Sequence, residues 1–423
     1  MIIAVTPNPA LDLTWHVAAL TVGGTHRADA GAARAGGKGL NVARVAHTQA
    51  ASTVAITTVG GATGEEFTAE LEASGVPHAL VPVAAATRRS VALVDESLGD
   101  TTVVNEYGLA PSAEEWTALT DAVAAALAGA CREEPHSARE TTSAHVSHAE
   151  GGVSVDERAA DAAADVLVIS GSFPPETPER LLPALIRIGR DAGAVVIVDT
   201  SGPSLLRAAD AGASVLKPNE HELRDATGLD DPVDGARELV RRGAELVLLS
   251  LGAEGMLAVS AASVAGVDAG ADAPHPGATP DGADADGAGR PSDSAPVSAS
   301  AHLSTSAPAV SILHARLPAA LAGNPTGAGD AAVAACAVLM DAGIRDPEQI
   351  LRRATAWSAA AVLMPLAGEI HASWPDLERT LIVTPRTVEN PRADRDMTPG
   401  GHSHAAGEFS PATETPSDSK EPR

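Results

Sequence analysis

Three short stretches of this chain are apolar at every consecutive position: Val166-Leu167-Val168-Ile169, Val195-Val196-Ile197-Val198 and Leu246-Val247-Leu248-Leu249. Successive side chains of a strand point to opposite faces, so such a run offers no face to water and must be covered on both sides. A parallel sheet between two layers of helices meets that demand. Strand candidates are Ile2–Val5, Val54–Val59, Ala79–Val83, Val91–Val94, Thr101–Asn105, Val166–Ser170, Val195–Asp199, Ser214–Lys217 and Leu246–Ser250, with amphipathic helical segments between many of them. Ser112-Ala113-Glu114-Glu115 is a capping box ahead of Trp116, and Thr177-Pro178-Glu179 offers an N-cap, a proline at the first helical position and an acidic first turn. Strand followed by helix, repeated, predicts a doubly wound α/β fold whose ligands sit beyond the carboxyl ends of the strands. Two segments fall outside the rhythm. Leu11–Val17 alternates, and residues 89–106 read as a hairpin across Asp95–Asp100, which predicts a small antiparallel flap acting as a lid.

Hydrophobic residues are 44% of the 423, enough for a large aliphatic core. With 29 basic and 55 acidic residues the net charge is −26, which repels phosphate backbones and anionic membranes, and only 2% of residues are aromatic. Base-stacking platforms are nearly absent, so no nucleic acid and no membrane partner is expected. Cys131 and Cys336 form no CxxC or Cys/His cluster, which argues against a disulfide framework or a zinc site and fits a reducing compartment. The opening Met1-Ile2-Ile3-Ala4-Val5-Thr6-Pro7 has no basic leader and no run of 18 apolar residues occurs. The expectation is a soluble, cytoplasmic protein.

Residues 131–160 are polar without an apolar period, and 268–308 are built mainly from Ala, Gly, Pro, Ser and Asp. Neither stretch can build a core, and the tail 386–423 is similar. All three are expected to be disordered, leaving one large domain over 1–385. The acidic run from Asp268 to Asp293 reads as solvated loop rather than a metal site.

Chemistry concentrates in four places. Asn324-Pro325-Thr326-Gly327-Ala328-Gly329-Asp330 is a glycine-rich loop opening a helix, where free N–H groups make an anion site and Asp330 can accept a proton from an attacking hydroxyl. The bland alternative is a carboxylate that only complements the helix dipole. Gly36-Gly37-Lys38-Gly39-Leu40-Asn41 is neither a Walker loop nor GxGxxG; it reads as backbone that a polar substrate can approach, or as a glycine-packed helix start. Lys217-Pro218-Asn219-Glu220-His221-Glu222 ends a strand and opens a helix. Asn219 and Glu222 suit water-mediated Mg²⁺, or simply cap that helix. Ser250-Leu251-Gly252-Ala253-Glu254-Gly255 is a strand followed by a glycine turn. Asp12 and Arg88, on the flap, could hold sugar hydroxyls and a phosphate, though each alone reads as surface charge. His16, His145, His148 and His221 have no catalytic partners at useful spacing.

Together these segments resemble the PfkB, or ribokinase-like, sugar kinase family, in its hexose-phosphate branch of 1-phosphofructokinases and tagatose-6-phosphate kinases. Thr6-Pro7-Asn8-Pro9-Ala10-Leu11-Asp12, Gly36 to Val45, Thr87-Arg88, Ser170-Gly171-Ser172-Phe173-Pro174, Lys217-Pro218-Asn219, Ser250 to Gly255 and Asn324 to Asp330 carry the likeness in order. The resemblance implies a ribokinase-like kinase domain over 1–385 with a β-lid from about 11–34 and 87–107. It implies Asp330 as catalytic base and Gly327, Ala328 and Gly329 as anion hole for the ATP γ-phosphoryl group. Asp12, Gly37, Asn41 and Arg88, with Lys38 and Arg27, are implied as sugar-phosphate contacts. Lys217, Ser250, Gly252 and Gly255 are implied as nucleotide contacts, and Asn219 with Glu222 as the element organising Mg²⁺. The substrate implied is a ketohexose phosphate, fructose 1-phosphate first, with a tagatose-6-phosphate kinase or 6-phosphofructokinase of the same family as the alternative and a non-catalytic sugar-phosphate sensor behind both; the lid implies a homodimer. The chain departs from the family in having Ala50 for glycine, Ala331 for serine, and Ser90 and Ala92 where 1-phosphofructokinases tend to carry Asn and Lys.

Overall fold

The computed structural model describes residues 1–129, 164–262 and 310–386. The expected disordered segments 131–160 and 268–308, and the expected tail 386–423 except Arg386, lie outside these residues, as do Cys131, His145 and His148; the Arg386 amide donates to the Ile312 carbonyl at 2.9 Å. In chain order the strands are β1 (Ile2–Thr6), β2 (Ala10–Val17), β3 (Ala32–Gly36), β4 (Thr53–Val59), β5 (His78–Pro82), β6 (Arg88–Asp95), β7 (Asp100–Asn105), β8 (Val166–Ser170), β9 (Val195–Asp199), β10 (Val215–Leu216), β11 (Leu246–Ser250), β12 (Met256–Ala261), β13 (Val310–Arg316) and β14 (Ile382–Pro385). The helices are α1 (Lys38–Thr48), α2 (Gly61–Ser74), α3 (Ala113–Leu127), α4 (Leu181–Asp191), α5 (Pro203–Asp210), α6 (Glu220–Thr227), α7 (Pro232–Arg242), α8 (Ala328–Asp341), α9 (Pro347–Val362) and α10 (Trp374–Thr380).

One sheet runs β14-β13-β12-β11-β10-β9-β8-β1-β4-β5. The strands from β11 to β5 are parallel, and β12, β13 and β14 extend that edge antiparallel. Alternate residues of the apolar runs separate as their spacing demands. Ile2, Ala4, Val166, Val168, Ile197, Val215, Leu246 and Leu248 share one cluster with buried residues of α1, α8 and α9. Their neighbours Ile3, Val5, Leu167, Val196, Val198, Leu216, Val247 and Leu249 are equally buried on the other face, which α3, α4, α5 and α7 cover. Helix α8 is enclosed on nearly every side, which its run of alanines allows.

The second sheet, order β3-β2-β6-β7, is the lid. Its outer pairs are antiparallel, as expected of the flap, but the central β2–β6 pair is parallel. Strand β3, Ala-Ala-Arg-Ala-Gly, carries no β-branched residue and gives no strand signal in the sequence. The expected strand Ser214–Lys217 shortens to Val215–Leu216.

The capping box at Ser112 forms in both directions. The expected helix start at Thr177 does not: the Thr177 hydroxyl donates to the Pro174 carbonyl at 2.7 Å, and α4 begins only at Leu181. Ala50, the residue standing in for a family glycine, holds φ at 60°, a left-handed conformation that glycine adopts freely and alanine does not.

Candidate functional site

The parallel strands release their carboxyl ends on one side, beneath the lid. Asn8 beyond β1, Ser172 beyond β8, Thr200 and Ser201 beyond β9, Lys217 beyond β10 and Ser250 at the end of β11 line one cleft of about 1020 Å³. The same wall holds Asp12, Gly37, Lys38, Asn41 and Arg88 at the lid end. It also holds Asn219, Glu222, Gly252, Gly255 and the loop Gly327-Ala328-Gly329-Asp330. The fold thus gathers every candidate above except Arg27, which is exposed and lies outside the cleft lining.

Asp330 sits in the first turn of α8, 6% exposed, where it accepts a hydrogen bond of 2.8 Å from Asn41 Nδ2. Burial pushes its carboxyl up to about 7, against the pull of the Lys38 ammonium and the Asn41 bond and with the push of Asp199. A carboxylate so placed is a base poised near neutrality. Gly327, the cap of α8, holds φ at 85° and is seated on Ala367, where an added Cβ would meet the Ala367 Cα at 2.8 Å. Among the described residues the Gly327 and Gly329 amides have no hydrogen-bond partner, whereas the Ala328 amide turns back to the Pro325 carbonyl at 3.2 Å. Two of the three expected anion-hole donors are free; Ala328 must give up a long bond to join them.

Beneath this turn lies a charge cluster centred on Asp199, a residue that no sequence motif marks. Asp199, fully buried at the end of β9, has Lys217 Nζ 3.4 Å from Oδ1 and Lys38 Nζ 3.3 Å from Oδ2, and accepts from the Ser170 hydroxyl at 3.0 Å. Burial works against its charge, but the two ammonium groups and the Ser170 bond overturn that and hold the carboxyl below its ordinary range. Lys38 also approaches Glu222 Oε1 at 3.5 Å, and Asp199 foremost holds its ammonium charged well above the usual lysine range. Lys217, 4% exposed, points its ammonium at the α8 turn: a Cβ added at Gly329 would lie 3.1 Å from Nζ.

Asn219 and Glu222 form the reciprocal capping box. Asn219 Oδ1 accepts from the Glu222 amide at 2.8 Å, and Glu222 Oε2 accepts from the Asn219 amide at 2.9 Å. The cap therefore occupies the Asn219 oxygen and one Glu222 oxygen, leaving Oε1 facing Lys38. Among the described residues no set of three His, Cys, Asp or Glu side chains could hold a metal by itself. Mg²⁺ keeps most of its water and takes only one or two carboxylates beside substrate phosphates, and Glu222 Oε1 at the cleft wall fits that habit, whereas Asp199 is fully buried, paired with two lysines and outside the cleft lining.

At the lid end, Asp12 faces Arg34 across β2–β3 and Ser90 across β2–β6, and a Cβ at Gly36 would overlap its carboxylate. Burial raises Asp12 to about 6, against Arg88, Arg34, Arg44 and the Ser90 hydroxyl. Arg88 is half-buried and donates to the backbone carbonyls of Asn8 and Glu106 at 3.0–3.3 Å. Ser90 lines the cleft and Ala92 does not, so only the first of the two departing lid residues borders the candidate sugar site. Leu317, Leu321, Ser358, Ala359 and Val362 add small and aliphatic residues to the same lining, and no motif of the sequence marks them.

A strand-end cleft under a lid, with a free-amide turn, a raised carboxylate and two lysines paired with a buried aspartate, defines a phosphoryl-transfer enzyme of the doubly wound class. The chain belongs to the pfkB family of carbohydrate kinases, whose family model matches residues 6–132 and 142–276. Over 262 residues, 61% of this chain and 74% of the relative, it is 29% identical to the 1-phosphofructokinase of Bacillus subtilis. It is 32% identical over 265 residues, 60% of this chain and 67% of the relative, to the ATP-dependent 6-phosphofructokinase isozyme 2 of Mycobacterium tuberculosis. The crystal structure of phosphofructokinase-2 from Escherichia coli with fructose 6-phosphate superposes with a TM-score of 0.63, at 24% identity, over 89% of this chain and 98% of that one. This protein is therefore an ATP-dependent sugar kinase of the phosphofructokinase type. No helix among the described residues is long and apolar enough to cross a membrane.

Proposed function

We propose that the chain transfers the γ-phosphoryl group of ATP to the free primary hydroxyl of fructose 1-phosphate, giving fructose 1,6-bisphosphate. The observation that carries this is Asp330, a buried carboxylate raised to about 7 and seated in a turn that lines the cleft and leaves two amides free. Asp330 takes the proton of the attacking hydroxyl, and Asn41 fixes the carboxylate's orientation through its 2.8 Å bond. The amides of Gly327 and Gly329, joined by that of Ala328, receive the charge of the transferring group, with the Lys217 ammonium beside them. Asp12 and Gly37 hold sugar hydroxyls, and Arg88 with Lys38 meets the anionic end of the substrate. Ser250, Gly252 and Gly255 shape the nucleotide side. Glu222 would hold Mg²⁺ through water, and the ion would supply neutralising charge on the phosphates; Asn219 would support this indirectly by capping α6. The lid excludes water from the transfer.

The substrate follows relatives named 1-phosphofructokinase. A 6-phosphate is the second reading, favoured by the equally similar 6-phosphofructokinase isozyme. A coupled ADP-release assay with both sugars decides between them. Lid strand β7 is exposed along its whole length, Val103 and Val104 included, which supports a homodimer closed lid against lid. The segments 131–160, 268–308 and 386–423 are proposed as appendages to a single kinase domain.

A further inference from the structure

Arg34 stands in β3 directly across from Asp12, at the sugar end of the cleft. Its Nη2 pairs with Glu369 at 3.2 Å, while its Nη1 is buried without a hydrogen-bond partner. Glu369 belongs to the loop after α9, and the two residues before it touch both halves of the reacting centre. Ala367 is the seat on which Gly327 rests. Gly368 lies flat on Asn41 and Arg44: a Cβ there would meet Asn41 Oδ1 at 3.2 Å and Arg44 Cδ at 3.1 Å. One ion pair thus joins the strand facing Asp12 to the loop that supports both Asn41 and the anion turn.

We propose that Arg34 is a positioning residue which, through Glu369, couples sugar binding at Asp12 to the readiness of the anion turn for nucleotide. A sugar drawn onto Asp12 stiffens β3, and the Arg34–Glu369 pair passes that bias to Gly368 and Ala367. The pair is partly exposed on both sides, with 18% and 36% of the side chains accessible, so it adds little to stability. Its effect belongs instead in the coupling between two ligands, which is reciprocal and separable from either affinity alone. The inference rests on the proposed assignment of the sugar and nucleotide ends.

The test is calorimetric titration of the full chain with the Mg²⁺ complex of the β,γ-imido ATP analogue, with and without saturating fructose 1-phosphate or fructose 6-phosphate. In the unaltered protein the sugar phosphate is expected to tighten analogue binding by about fivefold or more. In Glu369→Gln the factor falls toward one, while affinity for sugar phosphate alone stays within about twofold and the melting temperature is unmoved. Arg34→Lys retains a measurable part of the coupling, Arg34→Met none, and Arg34→Met with Glu369→Gln loses no more than Arg34→Met alone. An unchanged factor in Glu369→Gln, an uncoupled wild type, or a large fall in melting temperature that explains the loss would overturn the proposal. Turnover by the wild type, measured separately, tests the proposed function: a kinase whose coupling ignores Glu369 refutes only this inference. A coupled but inactive protein refutes only the function.

Discussion

Asn41 and Asp330, 289 positions apart, meet through a 2.8 Å hydrogen bond that ties the first turn of α1 to the first turn of α8. Both helices begin at glycines, Gly37 and Gly327, so two loop-to-helix transitions converge on one carboxylate. Replacing Asp330 by Asn keeps the shape and the Asn41 contact but removes the base. Turnover should fall by about 10³-fold with sugar-phosphate affinity preserved, which steady-state kinetics and titration calorimetry together would read.

The same substitution has a stability signature. The folded carboxyl titrates at about 7 against an ordinary 3.8, so the folded state holds the proton more tightly and stability declines as pH rises through that interval. The neutral amide of Asp330→Asn carries no such cost. The variant should match the wild type near pH 4 and exceed it at pH 8 by up to a few kcal/mol, at about 1.4 kcal/mol for every tenfold gain in proton affinity. Thermal melting at the two pH values checks the sign.

Activity should fall on the acid side. Asp330 must be ionised to accept a proton, so kcat/KM drops as pH falls through about 7, and more steeply as Asp12 takes up its proton near 6. Lys38 is held charged above its ordinary range, so it contributes no alkaline loss below that range. A pH–rate profile flat from 8 to 5 would remove both carboxylates from the proposed roles.

Gly36 leaves the space that the Asp12 carboxylate fills. Gly36→Ala should displace that carboxylate and raise the sugar KM by about tenfold or more while leaving the ATP KM near its wild-type value, because the nucleotide end is built from other strands.

Ala50 bears a left-handed conformation at φ 60° that costs about 1 kcal/mol over glycine, partly offset by the freer unfolded chain that glycine brings. Ala50→Gly should leave kinetics untouched and raise the melting temperature by about 1–3 °C for a domain of this size.

Much of this arrangement was legible in the sequence because it depends on local pattern. Doubly apolar runs announce a covered parallel sheet, and glycine-rich helix starts announce Gly37 and Gly327 before any contact is known. Asp199 was not legible: it ends an ordinary strand, and only the crossover topology brings Lys38 and Lys217 to it. Strand β3 was hidden for the opposite reason, since its alanines and glycine form a strand only because β2 lies beside them. At Thr177 a local hydrogen bond to Pro174 outcompeted the capping role that its sequence advertises.

The central claim is tested most directly by a coupled ADP-release assay with Mg-ATP against fructose 1-phosphate, fructose 6-phosphate, tagatose 6-phosphate and free fructose. The proposed function predicts that fructose 1-phosphate gives the highest kcat/KM by about tenfold or more, a margin of roughly 1.4 kcal/mol in transition-state binding. Preference for a 6-phosphate would contradict the substrate assignment, and no turnover of any of the four would contradict the proposed reaction itself.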